Sequence, residues 1–265
     1  MLRKRQLTPA EARAFFEVGF VIIPAVFAAA EVAEMAAGFD RLLALAADLD
    51  GDVMHHGANF VVAQVPDASG RRRAVVRRIG WCGAAEPVLA RYGADPRLLA
   101  LAAPLLGTTE MQQLINQAHF KLPGDDVKFP WHQDSTHRGY GGPHWRDVNG
   151  RGSYVQTVIA IDASTPENGP LLFLPGSCRR GHLALKYSDR EETVLEGLDV
   201  AEAVPALLAP GDVALFGPYT VHGSTPNRSA QPRRVFINGY ACPGANSRVY
   251  RGEGAGRLLR APATG

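Results

Sequence analysis

Two histidines and an aspartate have the residue types and the spacing of a metal site. His132 and Asp134 lie two residues apart in the segment FPWHQD at 129–134. On an extended backbone, side chains two positions apart project to the same face, so an imidazole nitrogen and a carboxylate oxygen converge. His222 supplies a third ligand from a distant segment. Two histidines and one carboxylate form the facial arrangement that holds Fe(II) and leaves coordination positions open.

Arg233 and Ser224 suit a second, carboxylate-bearing ligand of such a metal. Arg233 follows His222 by 11 residues, and Ser224 follows it by two. 2-Oxoglutarate chelates a metal through its keto-acid end and needs a cation for its distal carboxylate. The planar fork of an arginine binds a carboxylate through two hydrogen bonds, and a serine hydroxyl can share the same group.

The other six histidines have weaker claims to a role. His119 falls on a predicted strand and could face a cavity. The other five lie in segments rich in glycine or arginine, without a partner at ligand spacing, and are interpreted as histidines at the surface or behind the ligands. They are His55, His56, His137, His144 and His182.

Glycine and proline are sparse in the first fifty residues and dense after Pro123. This asymmetry predicts a helical N-terminal portion followed by short strands joined by tight turns. Thr8-Pro9-Ala10-Glu11 has the pattern of a capped helix start, and apolar residues recur at helical spacing between 27 and 49. Strands are expected at 20–24, 59–64, 74–79, 111–121, 154–161, 171–174, 213–216 and 235–237. Short strands at this density favour an antiparallel sandwich or barrel over alternating βαβ units.

The composition excludes several classes of protein. The chain has 265 residues with a net charge of +2, 46% hydrophobic residues and 20% charged residues, as soluble globular domains do. A charge of +2 gives no broad basic face for nucleic acid, and the longest apolar stretch, at 20–30, is too short to span a membrane. Three widely spaced cysteines and the lack of a secretory signal favour the cytoplasm. We expect a monomer or a homodimer.

The ordered set of motifs resembles the phytanoyl-CoA dioxygenase family of Fe(II)/2-oxoglutarate oxygenases, which includes ectoine hydroxylase. The matching segments are FEVGFV at 16–21, HQD at 132–134, PENGPL at 166–171 with LPGS at 174–177, and HGS at 222–224 with Arg233. The resemblance implies a mainly β fold, a double-stranded β-helix (jelly roll, cupin-like) with N-terminal helices packed against it. It implies a single domain over 1–265, with largely helical support in 1–106 and the jelly-roll core in 107–245.

The resemblance also implies site roles and a reaction. It assigns metal ligation to His132, Asp134 and His222, and 2-oxoglutarate binding to Arg233, Ser224 and Gln117. The implied enzyme uses Fe(II), O2 and 2-oxoglutarate to hydroxylate an unactivated C–H bond, releases succinate and CO2, and is activated by ascorbate in vitro. Halogenating relatives replace the carboxylate ligand with a small residue, so an aspartate here favours hydroxylation.

The sequence leaves the substrate open. A small polar molecule or one bearing a carboxylate or phosphonate is favoured, with an acyl-CoA or a natural-product scaffold as alternatives. Segment 127–145 is expected to form a mobile rim whose aromatic and cationic residues, Arg138 among them, suit a polar or carboxylate-bearing molecule. The basic cluster at 71–73 and 77–78 is either a solvated turn or an anion site. A metal-dependent cupin-type hydrolase or isomerase, or a non-catalytic metal-binding barrel, would use the same three ligands. Neither needs an anchor such as Arg233.

Overall fold

The computed structural model describes residues 6–66, 69–183, 185 and 195–262, which form six α-helices and thirteen strands. The helices are α1 (Pro9–Glu17), α2 (Ala29–Ala46), α3 (Cys82–Ala85), α4 (Pro87–Tyr92), α5 (Pro96–Leu106) and α6 (Asp134–Arg138). The strands are β1 (Phe20–Ile23), β2 (Val53–His55), β3 (Ala58–Pro66), β4 (Arg72–Gly80), β5 (Glu110–Lys121), β6 (Phe129–His132), β7 (Tyr154–Ala160), β8 (Leu171–Phe173), β9 (Val204–Pro205), β10 (Val213–Phe216), β11 (His222–Ser224), β12 (Arg233–Ala241) and β13 (Leu258–Arg260).

The strands form two antiparallel sheets. The larger sheet runs β1-β10-β7-β12-β5-β4-β3-β2, with β13 also paired to β5, and the smaller runs β6-β11-β8-β9. Phe173 of the smaller sheet packs on Phe20 and Phe216 of the larger one, with ring centroids 4.4 and 5.1 Å apart. Two antiparallel sheets around a common interior are the jelly-roll architecture, so the expected fold class is confirmed.

The predicted amphipathic helix is α2. All five apolar positions that define its stripe are buried: Val32, Met35, Phe39, Leu42 and Ala46. Phe39 contacts Phe120 of β5 and Phe236 of β12, so the helix covers the outer face of the larger sheet beside its central strands. At the start of α1, Thr8 and Glu11 form the predicted capping box.

The first 106 residues contain more than helical support. They also supply β1, which pairs with β10, and β4, which pairs with β5 at Arg78, Ile79 and Gly80. The larger sheet is therefore extended at both sides by N-terminal strands. Asp67 and Ala68, in the expected turn between β3 and β4, lie outside the described residues. Within those residues no helix has the length and apolarity needed to cross a membrane.

Candidate active site

The two histidines of the expected metal site lie side by side on neighbouring strands. His132 ends β6, and its partner directly opposite on β11 is His222, with ring centroids 4.2 Å apart. Asp134 begins α6, two residues after His132. The three residues are buried, and one ligand atom from each lies within 4.8 Å of the other two. The structure therefore brings all three predicted ligands to one point.

Hydrogen bonds fix both imidazole rings in a metal-binding orientation. His132 Nδ1 lies 2.7 Å from the carbonyl of Pro130, and His222 Nδ1 lies 2.9 Å from the carbonyl of Thr220. A carbonyl only accepts, so each Nδ1–H donates and each Nε2 keeps its lone pair for a metal.

Burial reinforces the fit of this group to a metal. Burial, and the other histidine for His132, lowers the pKa of both ligand histidines, so both are neutral, as ligands must be. Asp134 Oδ2 is buried and has no hydrogen-bond donor among the described residues. Two neutral imidazoles and one uncommitted carboxylate oxygen form the donor set of a non-haem Fe(II) site.

Gln133, between the two ligands of the HQD motif, holds the neighbouring chain in place. Its side-chain amide donates to the carbonyls of Tyr219 (2.6 Å) and Gly181 (2.9 Å). Its side-chain oxygen accepts from the amide of Leu183 at 2.8 Å. The metal motif is thus tied to the segments that precede β11 and follow β8.

A buried cationic group lies at the start of β12. Arg233 is paired with Lys121 of β5 across the sheet, and its Nε has no acceptor among the described residues. Lys121 Nζ donates to Ser224 Oγ (2.7 Å), to the carbonyl of Gly169 (3.2 Å) and to that of Thr225. Burial lowers the pKa of Arg233 to about 10, and burial with Arg233 lowers that of Lys121 to about 5. A desolvated guanidinium group beside a hydroxyl, with an amine that a bound anion can protonate, forms a site for a carboxylate.

Gln117 and His119 line the cavity on the same strand as Lys121. His119 Nε2 lies 3.0 Å from Gln117 Oε1, and the His119 ring stacks on Phe129 at a centroid distance of 5.0 Å. Burial and nearby cations, Arg78 first, lower the pKa of His119 well below its usual value. A neutral imidazole that donates to Gln117 turns the amide group of that residue toward the cavity.

The metal ligands and the cationic group open into one cavity of about 360 Å³. Its charged lining residues, among those the structure describes, are the arginines Arg78, Arg138, Arg233 and Arg248 and the carboxylate Asp134. Four cations against one anion make the cavity strongly electropositive.

Comparisons with known proteins decide what kind of cavity this is. The sequence model of the phytanoyl-CoA dioxygenase (PhyH) family matches residues 15–235. The chain belongs to this family. Its relatives include a methylphosphonate hydroxylase of Gimesia maris, 30% identical over 239 residues that make up 88% of this chain and 80% of that protein. An ectoine dioxygenase of Sphingopyxis alaskensis is 29% identical over 241 residues, covering 84% of this chain and 72% of the relative.

Solved structures agree with the family assignment. EctD from S. alaskensis, crystallised with 2-oxoglutarate and 5-hydroxyectoine, superposes with a TM-score of 0.64 at 26% identity, covering 90% of this chain and 77% of that one. EvdO2 from Micromonospora carbonacea var. aurantiaca shares the fold, with a TM-score of 0.68 at 23% identity over 94% and 97% of the two chains. The family predicted from the motifs is confirmed, and this PhyH-family chain is an Fe(II)/2-oxoglutarate-dependent dioxygenase.

The second arginine of this dioxygenase's cavity, Arg138, belongs to the rim expected from the sequence, but its contact with Asp134 was not predicted. Arg138 ends α6, four residues after Asp134, and its Nη2 lies 3.9 Å from Asp134 Oδ1. Its guanidinium group lies over the rings of Tyr154 and Tyr250, 5.2 and 5.4 Å from their centroids. The i,i+4 spacing is the available signal, but a five-residue helix has too few turns to be recognised by periodicity.

The histidines outside the ligand set divide into two groups. His137 lines the cavity with its ring 5.0 Å from that of His132, and burial lowers its pKa to about 3. His182 Nδ1 contacts Ser135 Oγ at 2.7 Å, directly behind the metal motif. Both therefore lie behind or beside the ligands, whereas His56 and His144 are exposed.

The structure also shows where the expected rim at 127–145 and the arginine cluster lie. In the rim, Tyr140 stacks on Trp145 at 4.5 Å, and the indole is buried, so these aromatic side chains pack inward. In the cluster at 71–73, Arg73 pairs with Asp125 at 2.6 Å, which makes that arginine a structural tie. Arg78, further along β4, is the residue of this strand that reaches the cavity.

Proposed function

We propose that this dioxygenase hydroxylates an unactivated C–H bond of a small molecule, with His132, Asp134 and His222 as the Fe(II) ligands. The observation that carries the proposal is the convergence of the three ligand atoms within 4.8 Å. Both imidazoles are held by backbone carbonyls with Nε2 directed away from those bonds. Because the rings are fixed before metal arrives, the site supplies three ligands on one side and leaves the other positions for ligands that react.

We further propose that Arg233, Ser224 and Gln117 bind 2-oxoglutarate. Arg233 is buried without a carboxylate in hydrogen-bond contact among the described residues, which suits the distal carboxylate of the co-substrate. Lys121 donates to Ser224 Oγ, so the Ser224 hydroxyl proton is free to point at that carboxylate. Bound iron and 2-oxoglutarate supply the oxidising chemistry with O2, releasing succinate and CO2, while the protein positions the reactants and excludes water.

The size of the cavity supports a small substrate. A volume of about 360 Å³ is near the lower end of the roughly 300–1,000 Å³ found for ligand sites, and the co-substrate occupies part of it. The relatives named for methylphosphonate, ectoine and L-proline hydroxylation have small polar substrates in those names. A polar molecule bearing a carboxylate or phosphonate is therefore favoured over an acyl-CoA or a natural-product scaffold.

The test is reconstitution of the purified protein with Fe(II), 2-oxoglutarate and ascorbate, followed by measurement of succinate. Methylphosphonate, ectoine, L-proline and an acyl-CoA are added separately. We expect succinate formation that requires Fe(II) and is accelerated by a small polar compound. Absence of succinate under every condition would overturn the oxygenase assignment of these residues. Conversion of a compound without 2-oxoglutarate or O2 would instead identify a metal-dependent hydrolase or isomerase.

Two further predictions from the sequence remain predictions. A cytoplasmic location is supported by Cys82, Cys178 and Cys242, all of which are free thiols. A monomeric or homodimeric state is checked by sedimentation of the purified protein.

A further inference from the structure

The guanidinium group of Arg138 is buried without enough acceptors. The residue is 6% exposed, and its Nε has no hydrogen-bond acceptor among the described residues. Its nearest carboxylate oxygen, on Asp134, is 3.9 Å away, which is beyond hydrogen-bond range. Its other neighbours are Tyr154 and Tyr250, whose rings lie beneath the guanidinium group and whose side chains also hydrogen-bond to it. An arginine carries five N–H donors, so this one has capacity for another acceptor.

A buried cation in this state needs an anion. Burial of a charge is unfavourable unless the charge is paired and its donors are satisfied. Asp134 is a poor counter-charge, because as a metal ligand it shares its charge with iron. Arg138 is therefore left as a desolvated cation that lines the cavity next to the metal ligands.

The net charge of the cavity with Fe(II) and 2-oxoglutarate bound also indicates that Arg138 needs another anion. The two positive charges of Fe(II) and the two negative charges of 2-oxoglutarate cancel. The four cavity arginines then still face one carboxylate among the described lining residues. One of the four, Arg233, is assigned to the co-substrate, and the excess of positive charge remains for another ligand.

Arg138 and Arg233 lie at opposite ends of the cavity. The Tyr154 hydroxyl lies over Gly239 of β12, where a Cβ atom would collide with it. Gly239 is six residues along β12 from Arg233, which corresponds to about 20 Å of strand. Since the guanidinium group of Arg138 lies over Tyr154, Arg138 belongs to the Gly239 end of β12 and Arg233 to the start of that strand, and we assign the two arginines to different ligands.

Exposed Arg248 and half-buried Tyr250 complete the Arg138 end. Arg248 lines the cavity and donates to the carbonyl of His137 at 2.8 Å, and its guanidinium group lies 5.6 Å from the Tyr250 ring. Tyr250 also lines the cavity, and its hydroxyl lies 3.4 Å from Asn246 Oδ1, a long hydrogen bond that an oxyanion can replace. Two guanidinium groups, 5.4 and 5.6 Å from the same phenol ring, therefore line this side of the cavity, and such groups bind oxyanions through paired hydrogen bonds.

We propose that Arg138, with Arg248 and Tyr250, binds an oxyanion of the substrate, either a carboxylate or a phosphonate. The inference rests on the proposed function and names the substrate class. An oxygen bonded to Arg138 Nη2 lies within about 7 Å of Asp134 Oδ1, given the 3.9 Å contact and a normal hydrogen bond of about 2.9 Å. The oxidised carbon is therefore only a few bonds from the anionic group.

The experiment uses the full chain loaded with Fe(II) and 2-oxoglutarate in the absence of O2. Methylphosphonate, L-proline and acetate are titrated by calorimetry, each against a counterpart that lacks the anionic group: dimethyl methylphosphonate, L-prolinamide and acetamide. We expect at least one oxyanion to bind wild-type protein at least tenfold more tightly than its counterpart. The methylphosphonate and carboxylate arms identify which anion the site prefers. If none does so, the proposal is wrong.

Variants locate the binding group. Arg138→Gln is expected to weaken oxyanion binding at least tenfold and Arg248→Gln about threefold. Arg146→Gln is the matched control, because Arg146 is exposed and does not line the cavity. Unchanged oxyanion binding in Arg138→Gln would overturn the proposal. Should Arg138→Gln fail to fold, Arg248→Gln and Tyr250→Phe test the same site from its exposed side.

A purely structural role for Arg138 gives a different result. If Arg138 only orients Asp134, Arg138→Gln lowers Fe(II) affinity and the succinate formed without substrate, while the affinity for the oxyanion stays unchanged. The proposal expects Fe(II) and 2-oxoglutarate affinity to stay within about threefold of wild type. Failure of the proposed function is visible earlier, as a protein that binds no 2-oxoglutarate and forms no succinate.

Discussion

The two ends of the cavity are built from different kinds of structure. At one end, Arg233, Lys121 and Ser224 stand on three strands, β12, β5 and β11, whose backbones are held by ladder hydrogen bonds. At the other end, Arg138 stands on a five-residue helix, and Arg248 and Tyr250 follow β12 in a segment without regular structure until β13. The three residues of the proposed metal site combine both kinds of support. His132 and His222 stand on strands, and Asp134 stands at the start of a helix.

This difference separates two tasks. Strands in a sheet fix side chains precisely, and loops accept changes of sequence without loss of the core. The end that we propose to bind 2-oxoglutarate would perform the same task whatever the substrate, and it is built into the sheets. The Arg138 end, which we propose to select the substrate, is built from the short helix and the loop. The comparison predicts that substitutions at the two ends have separable kinetic effects.

Removal of a metal ligand should abolish the function of both ends. In His222→Ala the third ligand is lost, so Fe(II)-dependent succinate formation should fall by at least about 1,000-fold, with metal binding lost in parallel. The measurement is succinate release together with iron content. His144→Ala is the control, because His144 is exposed and contacts Ser247 rather than the cavity. Full succinate formation in His222→Ala would show that the ligand set is wrong.

Arg233→Met should affect the 2-oxoglutarate end alone. We expect the KM for 2-oxoglutarate to rise about 100-fold, because a buried bidentate partner of its carboxylate is lost. The KM for the substrate should change less than about threefold. Initial rates at varied concentrations of each compound measure both values, with exposed Arg228→Met as the control. Equal rises in both KM values would contradict the division of the cavity.

Gly239→Ala should affect the Arg138 end alone. The new Cβ atom occupies the space of the Tyr154 hydroxyl and of Gln156 Oε1, so Tyr154 must move away from Arg138. We expect a substrate KM about tenfold higher, an unchanged KM for 2-oxoglutarate, and a loss of about 1–3 kcal/mol in unfolding free energy from overpacking. Thermal unfolding and the same kinetics check both parts. A change in 2-oxoglutarate binding larger than that in substrate binding would count against this placement.

The smallest expected effect is uptake of a proton when 2-oxoglutarate binds. Burial and Arg233 lower the pKa of Lys121 to about 5, so its amine is mostly neutral near pH 7 in the free protein. A carboxylate beside it favours the ammonium form and raises that pKa, so binding takes up to about one proton from solution above pH 5. Calorimetry in buffers of different ionisation enthalpy measures the uptake. Lys121→Met should remove it, and equal uptake in that variant would exclude Lys121 as its source.

The convergence of His132 with Asp134 could be predicted from the sequence because their geometry is local. His132 and Asp134 share a face wherever the chain is extended, whatever else the fold does. His222 and Arg233 followed from their order and from the chemistry that a keto acid requires. The strands were predictable for a similar reason, since each strand combines a β-rich run with turn residues on both sides.

The sequence indicated a cationic rim around Arg138, but its partners could not be predicted, because they depend on long-range contacts. Arg138 reaches Asp134 only because α6 forms, and a single helical turn leaves no periodic pattern. Arg248 and Tyr250 meet Arg138 across more than a hundred residues of chain, and the segment that carries them has no pattern of its own. The pairing of β4 with β5 was not predicted either, because pairing between distant strands depends on how the whole core assembles.

The direct pairing of His132 with His222 bears on which metal the protein acquires. Both rings are set by the strand ladder and by backbone carbonyls. Two imidazoles and a carboxylate generally bind Co(II), Ni(II) and Zn(II) more tightly than Fe(II). For a site of this composition, we therefore expect iron occupancy to follow the supply of iron, which metal analysis of protein purified with and without added iron would check.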